Sequence, residues 1–198
     1  MDEVISKIHD VSLRILRECG FKVSNDYIIN ALKENGIRIQ GDTAFFEQEQ
    51  LMNLIKRAPS QFTLYARNPV HNMNIGGDKT YFAPGYGCTA VTGDDGSTRS
   101  GTYSDYISFA KLVHKSGHFK INGGILVQPC DISSDKAPIA MIYADIITSD
   151  KCILGIPGTI EDVSKIMDMC SIVFGGHEKF CSRPHILTLI NTVSPLQL

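Results

Sequence analysis

The sequence predicts an α/β protein: a small N-terminal α+β extension over residues 1–78, followed by a partial (β/α)8 barrel over residues 79–198. Two observations lead to this fold class. From about residue 102 onward, amphipathic helices alternate with short apolar strands, and such alternation is typical of βαβ units with parallel strands. Before that point, helical and strand-like spacings of apolar residues are mixed, which indicates a separate α+β region.

The extension is predicted to form three helices and a short strand. Apolar residues recur at helical spacing over residues 3–18, and Gly20 is placed to end that helix. Ser24 is a candidate N-cap for a second helix, which Gly36 would end. A strand is expected at Ile37 and Ile39, and a third helix at residues 47–57.

The middle of the chain has strand and turn signals. Alternating apolar residues predict a strand over residues 62–66. Gly93-Asp94-Asp95-Gly96, flanked by Val91 and Arg99, is the strongest hairpin signal in the chain.

The barrel region is predicted to contain four parallel strands separated by helices. Short strands with continuous apolar character fit burial on both faces of a sheet. The predicted strands are residues 81–83, 121–127, 152–154 and 186–190, and the predicted helices are residues 104–116, 136–148 and 160–174.

Four strands make only half of a barrel. A closed eight-stranded barrel takes about 200 residues or more, and half of one would leave a strand edge and an apolar face open to water. We therefore expect the chain to be the N-terminal portion of a longer protein. A four-stranded open α/β sheet is the alternative.

Composition excludes several classes of partner. With 19 basic and 21 acidic residues, the net charge of -2 gives no electrostatic basis for binding nucleic acid or an anionic membrane. No apolar run is long enough to span a bilayer, and the N-terminus lacks the regions of a signal peptide, so a cytoplasmic location is expected. The six cysteines form no CxxC pair and are interpreted as reduced thiols.

A series of short motifs, in a fixed order, resembles the N-terminal half of the trimethylamine methyltransferase family, which includes glycine betaine methyltransferases. Each motif is weak alone, but their order and spacing together are fairly specific. The motifs are residues 66–69, Gly76-Gly77, residues 81–85, residues 95–99, Thr102, Asp105, residues 128–131, residues 149–151 and residues 194–196.

The resemblance implies a TIM-type barrel with an N-terminal extension. It also implies transfer of a methyl group from a tertiary or quaternary amine to the cobalt of a corrinoid. That corrinoid would be carried on a separate small protein, so the expected partners are a corrinoid protein and a small methylated amine, with homo-oligomerisation left open. Which amine is used also stays open. Since the site of such a barrel is shared among eight strands, this portion is expected to be inactive alone.

In a barrel, site residues come from the C-terminal ends of the strands. This rule selects three candidate substrate-binding residues, Tyr86, Gln128 and Asn191. Tyr86 could supply an aromatic wall for a quaternary ammonium group, and the two amides could orient a carboxylate or contact the corrinoid. The alternatives are packing for Tyr86, backbone capping for Gln128 and a turn for Asn191. No catalytic residue is predicted, because a displacement mainly requires positioning of the reactants.

Other polar residues are interpreted as structural. The spacing of Cys170, His177, Cys181 and His185 does not match common zinc sites, so no metal site is predicted. His114 and His118 are expected to interact with the C-terminal end of a helix. Arg67 is expected to be a solvated turn residue, and Asp131 to cap the loop that follows it.

Two rival hypotheses remain from the sequence. The chain could be a non-catalytic α/β binding or assembly module, using the same sheet to hold a partner. It could also be an unrelated half-barrel that dimerises into a whole one.

Overall fold

The computed structural model describes residues 3–198 and has a mixed α/β fold, as predicted. The described chain forms two compact units. The first runs as far as Pro59 and also takes in Ile190–Leu198, and the second is Ser60–Leu189. None of the helices in residues 3–198 has the length and apolar character needed to cross a membrane.

The first unit packs three helices with a three-stranded antiparallel sheet in the order β1-β3-β2. Its core centres on Val23, Ile37 and Ala44. Its elements are α1 Glu3–Glu18, β1 Phe21–Lys22, α2 Asp26–Glu34, β2 Arg38–Gln40, β3 Thr43–Phe45 and α3 Gln48–Ile55.

The ends of the first two helices follow the sequence signals with one correction. Gly20 and Gly36 follow α1 and α2 with φ of 77° and 75°, a conformation that glycine adopts readily. The predicted N-cap Ser24 is wrong by one residue. The side chain of Asn25 accepts hydrogen bonds from the N–H groups of Tyr27 and Ile28 instead.

The last residues of the chain complete the first unit. Lys22 N–H donates to Leu196 O (2.9 Å), and Leu198 N–H donates to Lys22 O (2.9 Å). The segment Ile190–Leu198 therefore extends the N-terminal sheet along β1. This long-range pairing carries no local sequence signal.

The second unit contains two hairpins followed by alternating helices and parallel strands. The hairpin predicted around Gly93–Gly96 is confirmed, with Val91 opposite Arg99. The elements are β4 Phe62–Leu64, β5 Met73–Ile75, β6 Ala90–Thr92, β7 Thr98–Ser100, α4 Tyr103–Lys115, β8 Ile121–Gly123, α5 Ala137–Thr148, β9 Cys152–Gly155, α6 Ile160–Val173, α7 His177–Cys181 and β10 Ile186–Thr188.

The three strands β8, β9 and β10 form a parallel sheet in chain order. One face of the sheet packs against the helices, through a core that includes Tyr106, Met141, Ile142 and Ile153. The α4 and α6 helices begin with capping boxes, in which Thr102 and Thr159 exchange hydrogen bonds with Asp105 and Asp162. These caps fix where each crossover helix begins.

The opposite face of the sheet is covered by the β4–β5 hairpin. Leu64 and Met73 of the hairpin pack with Ile121, Cys152 and Leu154 of the strands, and Leu64 is fully buried. The two faces follow from the alternation of side chains along a strand, since Cys152 and Leu154 point one way and Ile153 points the other.

The predicted first parallel strand is not formed as a strand. Within residues 81–83, only an isolated parallel bridge joins Phe82 to Phe119. Pro84, which follows, has no N–H to continue a ladder. Three parallel strands are therefore present in the described chain, where the sequence predicted four, and the predicted strands over 121–127 and 186–190 are shorter than expected. The β5 strand and α7 helix were not predicted.

Candidate functional site

Two consecutive glycines mark the C-terminal end of β8. Gly123 and Gly124 have φ of 103° and 72°, in the region that side chains disfavour. We call this pair the glycine step. A Cβ on Gly123 would lie 2.6 Å from Asp145 Oδ2, and a Cβ on Gly124 would lie 2.7 Å from the Tyr86 ring. Because neither residue of the glycine step has a Cβ, both of these side chains can approach the backbone this closely.

The Tyr86 ring packs against the glycine step, next to Leu154. The same Cβ on Gly124 would come within 2.9 Å of Leu154 Cδ2, so the ring, the step and the β9 side chain are in contact range of one another. The ring is half-buried, and burial raises the pKa of the hydroxyl. Within residues 3–198 no hydrogen-bond partner reaches that buried oxygen. The Tyr86 side chain is therefore held by its ring.

Gln128 follows on a neighbouring segment. Gly87 N–H donates to Ile125 O (2.7 Å), and Gln128 N–H donates to Cys88 O (2.7 Å). The backbone segments that carry Tyr86 and Gln128 are thus hydrogen-bonded to each other, and Gln128 is half-buried. The sequence predicted both residues at the end of a strand, and the structure brings their segments together.

Asn191, the third predicted site residue, lies in the first compact unit. It is exposed and lies beyond the end of β10. Its role stays a prediction, as do those of Tyr86 and Gln128.

A buried hydrogen-bonded pair supports the glycine step from the helix side. The Tyr106 hydroxyl lies 2.8 Å from Gly124 O and 2.9 Å from Asp145 Oδ2. Tyr106 comes from α4 and Asp145 from α5, and both are buried. Sequence reasoning singled out neither residue as functional. The one sequence feature that could have indicated this pair is the carboxylate of Asp145 among the apolar residues of α5.

Burial dominates the electrostatics of this pair. It raises the pKa of the Asp145 carboxyl well above its ordinary range. Burial also raises the pKa of Tyr106. In the described part of the chain, no Lys, Arg or His forms an ion pair with Asp145, and its Oδ1 has no hydrogen-bond partner. Burial without a paired cation therefore favours the protonated form of Asp145 in the folded protein.

The residues considered for zinc do not converge. Cys170 is buried in the helical core, and His177 Nε2 lies 3.5 Å from Cys181 Sγ. His185 packs between Phe174 and Phe180, with ring centroids 4.0 Å and 5.7 Å away, and its Nδ1 contacts Tyr65 O. Residues 3–198 contain no group of three or more His, Cys, Asp or Glu side chains placed to hold a metal ion.

The predicted role of the histidine pair at the end of α4 is wrong. Lys151 Nζ, and not a histidine, donates to the terminal carbonyls Val113 O and Ser116 O, at 2.7 Å each. His114 instead lies with Nδ1 3.7 Å from Asp150 Oδ1, and His71 Nε2 lies 3.4 Å from the same oxygen. This cluster precedes β9, so it lies at the opposite end of the sheet from the glycine step.

Two further expectations are corrected. Arg67 is not a solvated turn residue, because its guanidinium donates to Ile146 O and Ser149 O at the C-terminal end of α5. Asp131 caps α4, not the loop that follows it, since its Oδ1 accepts a hydrogen bond from Tyr103 N–H (2.8 Å). Both partners are distant in sequence, so local patterns could not identify them.

Comparison with known proteins gives one family over the whole chain. The family described as trimethylamine methyltransferase (MTTB) matches residues 1–198. The chain is 34% identical over 196 residues to a glycine betaine methyltransferase of Desulfitobacterium hafniense (strain Y51), which covers 99% of this chain and 41% of that protein.

Two more distant relatives are methyltransferases as well. The chain is 24% identical over 204 residues to the trimethylamine methyltransferase MttB of Desulfitobacterium hafniense (strain DSM 10664 / DCB-2), covering 100% of the chain and 40% of the relative. It is 24% identical over 132 residues to an L-carnitine:corrinoid methyltransferase of Eubacterium limosum, covering 67% and 27%. The chain thus spans about two fifths of the length of the first two relatives, or less for the third.

Proposed function

This chain belongs to the trimethylamine methyltransferase family, and from that premise we propose that it is part of a methyltransferase that demethylates a small tertiary or quaternary amine. The methyl acceptor would be the cobalt of a corrinoid on a partner protein. The observation that carries the proposal is the match of 196 residues of the chain to a glycine betaine methyltransferase at 34% identity.

A quaternary amine of the glycine betaine type is the substrate that we place first. The identity to the glycine betaine methyltransferase, 34%, exceeds the 24% to the trimethylamine enzyme. A quaternary ammonium has no N–H to donate, so a protein recognises it mainly through aromatic faces. Tyr86, half-buried at the end of the parallel sheet, supports such a role.

The loop around Tyr86 also suits a large methyl acceptor. Apart from their chain neighbours, no described residue has an atom within 4 Å of the position that a Cβ on Gly85 or Gly87 would take. A flat, bulky partner could therefore approach the backbone on both sides of Tyr86. When bound, the corrinoid supplies a cobalt(I) nucleophile for the displacement. The L-carnitine:corrinoid methyltransferase is named for such an acceptor.

The chain's own residues would bind and orient the amine and exclude water. A displacement at a methyl group needs no general acid or base at the reacting carbon, so alignment supplies much of the rate. Tyr86 would contact the ammonium group. Gln128 and Asn191 would orient a carboxylate or contact the corrinoid, as proposals that rest on their positions after the strands.

We also propose that residues 79–198 form the first part of a TIM-type barrel and that residues 1–78 form its extension. The order β8-β9-β10, with crossover helices on one face, supports this proposal. So does the parallel bridge between Phe82 and Phe119, which places the preceding segment beside β8. Large apolar residues are exposed near both edges, including Phe82 at 64% and Leu189 at 50%.

A non-catalytic α/β binding or assembly module is the rival from another class. It predicts a stable monomer of 198 residues with no further βα units downstream. A half-barrel that dimerises predicts a two-fold homodimer in place of a monomer. Sedimentation of the purified chain separates these two outcomes.

The decisive experiment has two steps. Reading the DNA downstream of Leu198 tests whether the frame continues into further βα units, as the barrel proposal expects. The complete product is then assayed for methyl transfer to free cob(I)alamin from glycine betaine, with trimethylamine and carnitine as parallel arms. Absence of transfer from every methylated amine would contradict the proposed function.

A further inference from the structure

The two faces of the glycine step carry different side chains. Asp145 Oδ2 lies against Gly123 from the helix side, and the Tyr86 ring lies against Gly124 from the other. Tyr106 joins the two halves, since its hydroxyl contacts both Gly124 O and Asp145 Oδ2. Tyr106 thus connects the helix side to the backbone against which the Tyr86 ring packs.

Counting protons assigns the direction of these hydrogen bonds. A tyrosine hydroxyl has one proton, and a backbone carbonyl can only accept. Both contacts of Tyr106 are hydrogen bonds only if Tyr106 donates to Gly124 O and Asp145 donates to Tyr106. A buried carboxylate without a cation would be costly, which favours the same assignment. The chain of bonds then runs from Asp145 through Tyr106 to Gly124.

We propose that Tyr106 and Asp145 are positioning residues for the substrate site. Tyr106 holds the carbonyl of Gly124, Asp145 holds Tyr106 as a neutral hydrogen-bond donor, and the glycine step so fixed supports the Tyr86 ring. The importance of that support for substrate rests on the proposed function. The hydrogen-bond chain itself does not depend on it.

The Tyr86 loop has few other restraints. The loop is tied to its neighbour by Gly87 N–H donating to Ile125 O, and the flanking glycines are uncovered. The Tyr86 hydroxyl has no described partner that could orient the ring. Because cation–π attraction depends on where the ring face lies, a shift of the step would weaken binding of an ammonium group.

Three variants test the chain of hydrogen bonds, and one serves as control. Tyr106→Phe removes the link to Gly124, and Asp145→Leu removes the donor to Tyr106. Asp145→Asn keeps a donor, because the amide N–H can replace the carboxyl O–H. Tyr103→Phe is the matched control. Its hydroxyl joins α4 to α5 through Ala140 O at 2.9 Å.

The first readout is the ring resonance of Tyr86 in ring-labelled protein, assigned by its loss in Tyr86→Phe. We expect Tyr106→Phe and Asp145→Leu to shift it, and Asp145→Asn and Tyr103→Phe to leave it in place. An equal shift in Tyr106→Phe and Tyr103→Phe would overturn the proposal. A shift in Asp145→Asn as large as that in Asp145→Leu would overturn the donor role of Asp145.

The second readout is calorimetric binding of glycine betaine to the complete product of the reading frame. Loss of one hydrogen bond predicts about a fivefold loss of affinity in Tyr106→Phe, and less than about twofold in Tyr103→Phe. If the unmodified product binds no betaine, the proposed substrate loses support, while the Tyr86 resonance still decides the inference. Circular dichroism identifies any variant that fails to fold. If Asp145→Leu does not fold, Tyr106→Phe and Asp145→Asn, which nearly keep the shape of the original side chains, still test the proposal.

Discussion

At the scale of single residues, the proposed site combines buried polar atoms that lack a partner with unusual backbone geometry. Tyr86 and Asp145 each have a buried oxygen with no hydrogen-bond partner among residues 3–198. Such atoms cost stability and are uncommon in folded proteins. The side chains of both residues lie against the glycine step, where the backbone itself adopts a conformation that side chains disfavour. The unpaired oxygens therefore reduce stability where the proposed site lies.

Substitution of Tyr86 separates the ring from its hydroxyl. Tyr86→Phe keeps the aromatic face and removes the unpartnered oxygen, so we expect an unfolding free energy higher by about 1 kcal/mol and unchanged betaine affinity. Tyr86→Ala removes the face, and a loss of about 0.5–2 kcal/mol in cation–π attraction predicts affinity lower by about 2- to 30-fold. Urea unfolding and calorimetry measure the two effects. Equal affinities for Phe and Ala at this position would contradict an aromatic role.

The raised pKa of Asp145 predicts how stability depends on pH. Its pKa is raised in the folded protein, so the folded state keeps a proton that the unfolded state loses above about pH 4. Its contribution to stability is complete below the unfolded pKa and is lost as pH rises towards the folded pKa, by about 1.4 kcal/mol per pH unit. Asp145→Asn cannot titrate. The unfolding free energy of this variant should therefore rise relative to the unmodified chain between about pH 4 and pH 7. A difference independent of pH would contradict a buried neutral acid.

At the scale of elements, capping and long-range contacts place the crossover helices. Thr102 and Thr159 begin α4 and α6 through capping boxes, which the sequence spacing of threonine and aspartate encodes locally. The α4 box is reinforced by Arg99 of β7, whose guanidinium binds both oxygens of Asp105 at 2.6 Å and 2.8 Å. This contact lowers the pKa of Asp105 and joins the β6–β7 hairpin to the helix.

Removal of one cap should distinguish these two helices. Thr102→Ala and Thr159→Ala should each reduce the unfolding free energy by about 1 kcal/mol, the usual cost of losing an N-cap hydroxyl. Thr102→Ser and Thr159→Ser keep the hydroxyl and serve as controls. Only Thr102→Ala should also loosen the β6–β7 hairpin, because Asp105 then loses one of its partners; hydrogen exchange of the hairpin amides measures this. Equal exchange in both alanine variants would contradict the link.

At the scale of the whole molecule, the second unit is built around a parallel sheet with different covers on its two faces. Helices α4, α5 and α6 cover one face, and the β4–β5 hairpin covers the other. The proposed site lies at the C-terminal end of the sheet, and the cluster of His71, His114 and Asp150 lies at the N-terminal end. This separation matches the division in β/α barrels between a functional end and a stabilising end.

A substitution that creates a cavity under the β4–β5 hairpin tests whether the hairpin stabilises the sheet. Leu64 is fully buried between the hairpin and the strands, so Leu64→Ala should reduce the unfolding free energy by about 2–5 kcal/mol. Leu54→Ala, at a site 39% exposed in the first unit, is the control and should cost less than about 1 kcal/mol. Urea unfolding followed by circular dichroism gives both values. A small effect at Leu64 would show that the hairpin does not stabilise the sheet.

The sequence by itself determined the local features of this protein. Apolar periodicity located α4, α5 and α6 to within about one residue, and Gly93–Gly96 located a hairpin. Apolar spacing and glycine turn signals are read over a few neighbouring residues, so they can be recognised without the fold. The family resemblance also rests on local motifs, and the match over residues 1–198 confirms it.

The tertiary structure alone decided which distant groups meet. The pairing of Tyr106 with Asp145 spans 39 residues, and that of Lys22 with Leu196 joins the two ends of the chain. It also placed Lys151, and not His114, at the end of α4, and it reduced the predicted strand at residues 81–83 to a single bridge. Each of these outcomes depends on the burial and neighbours that packing creates, and no pattern of adjacent residues contains that information.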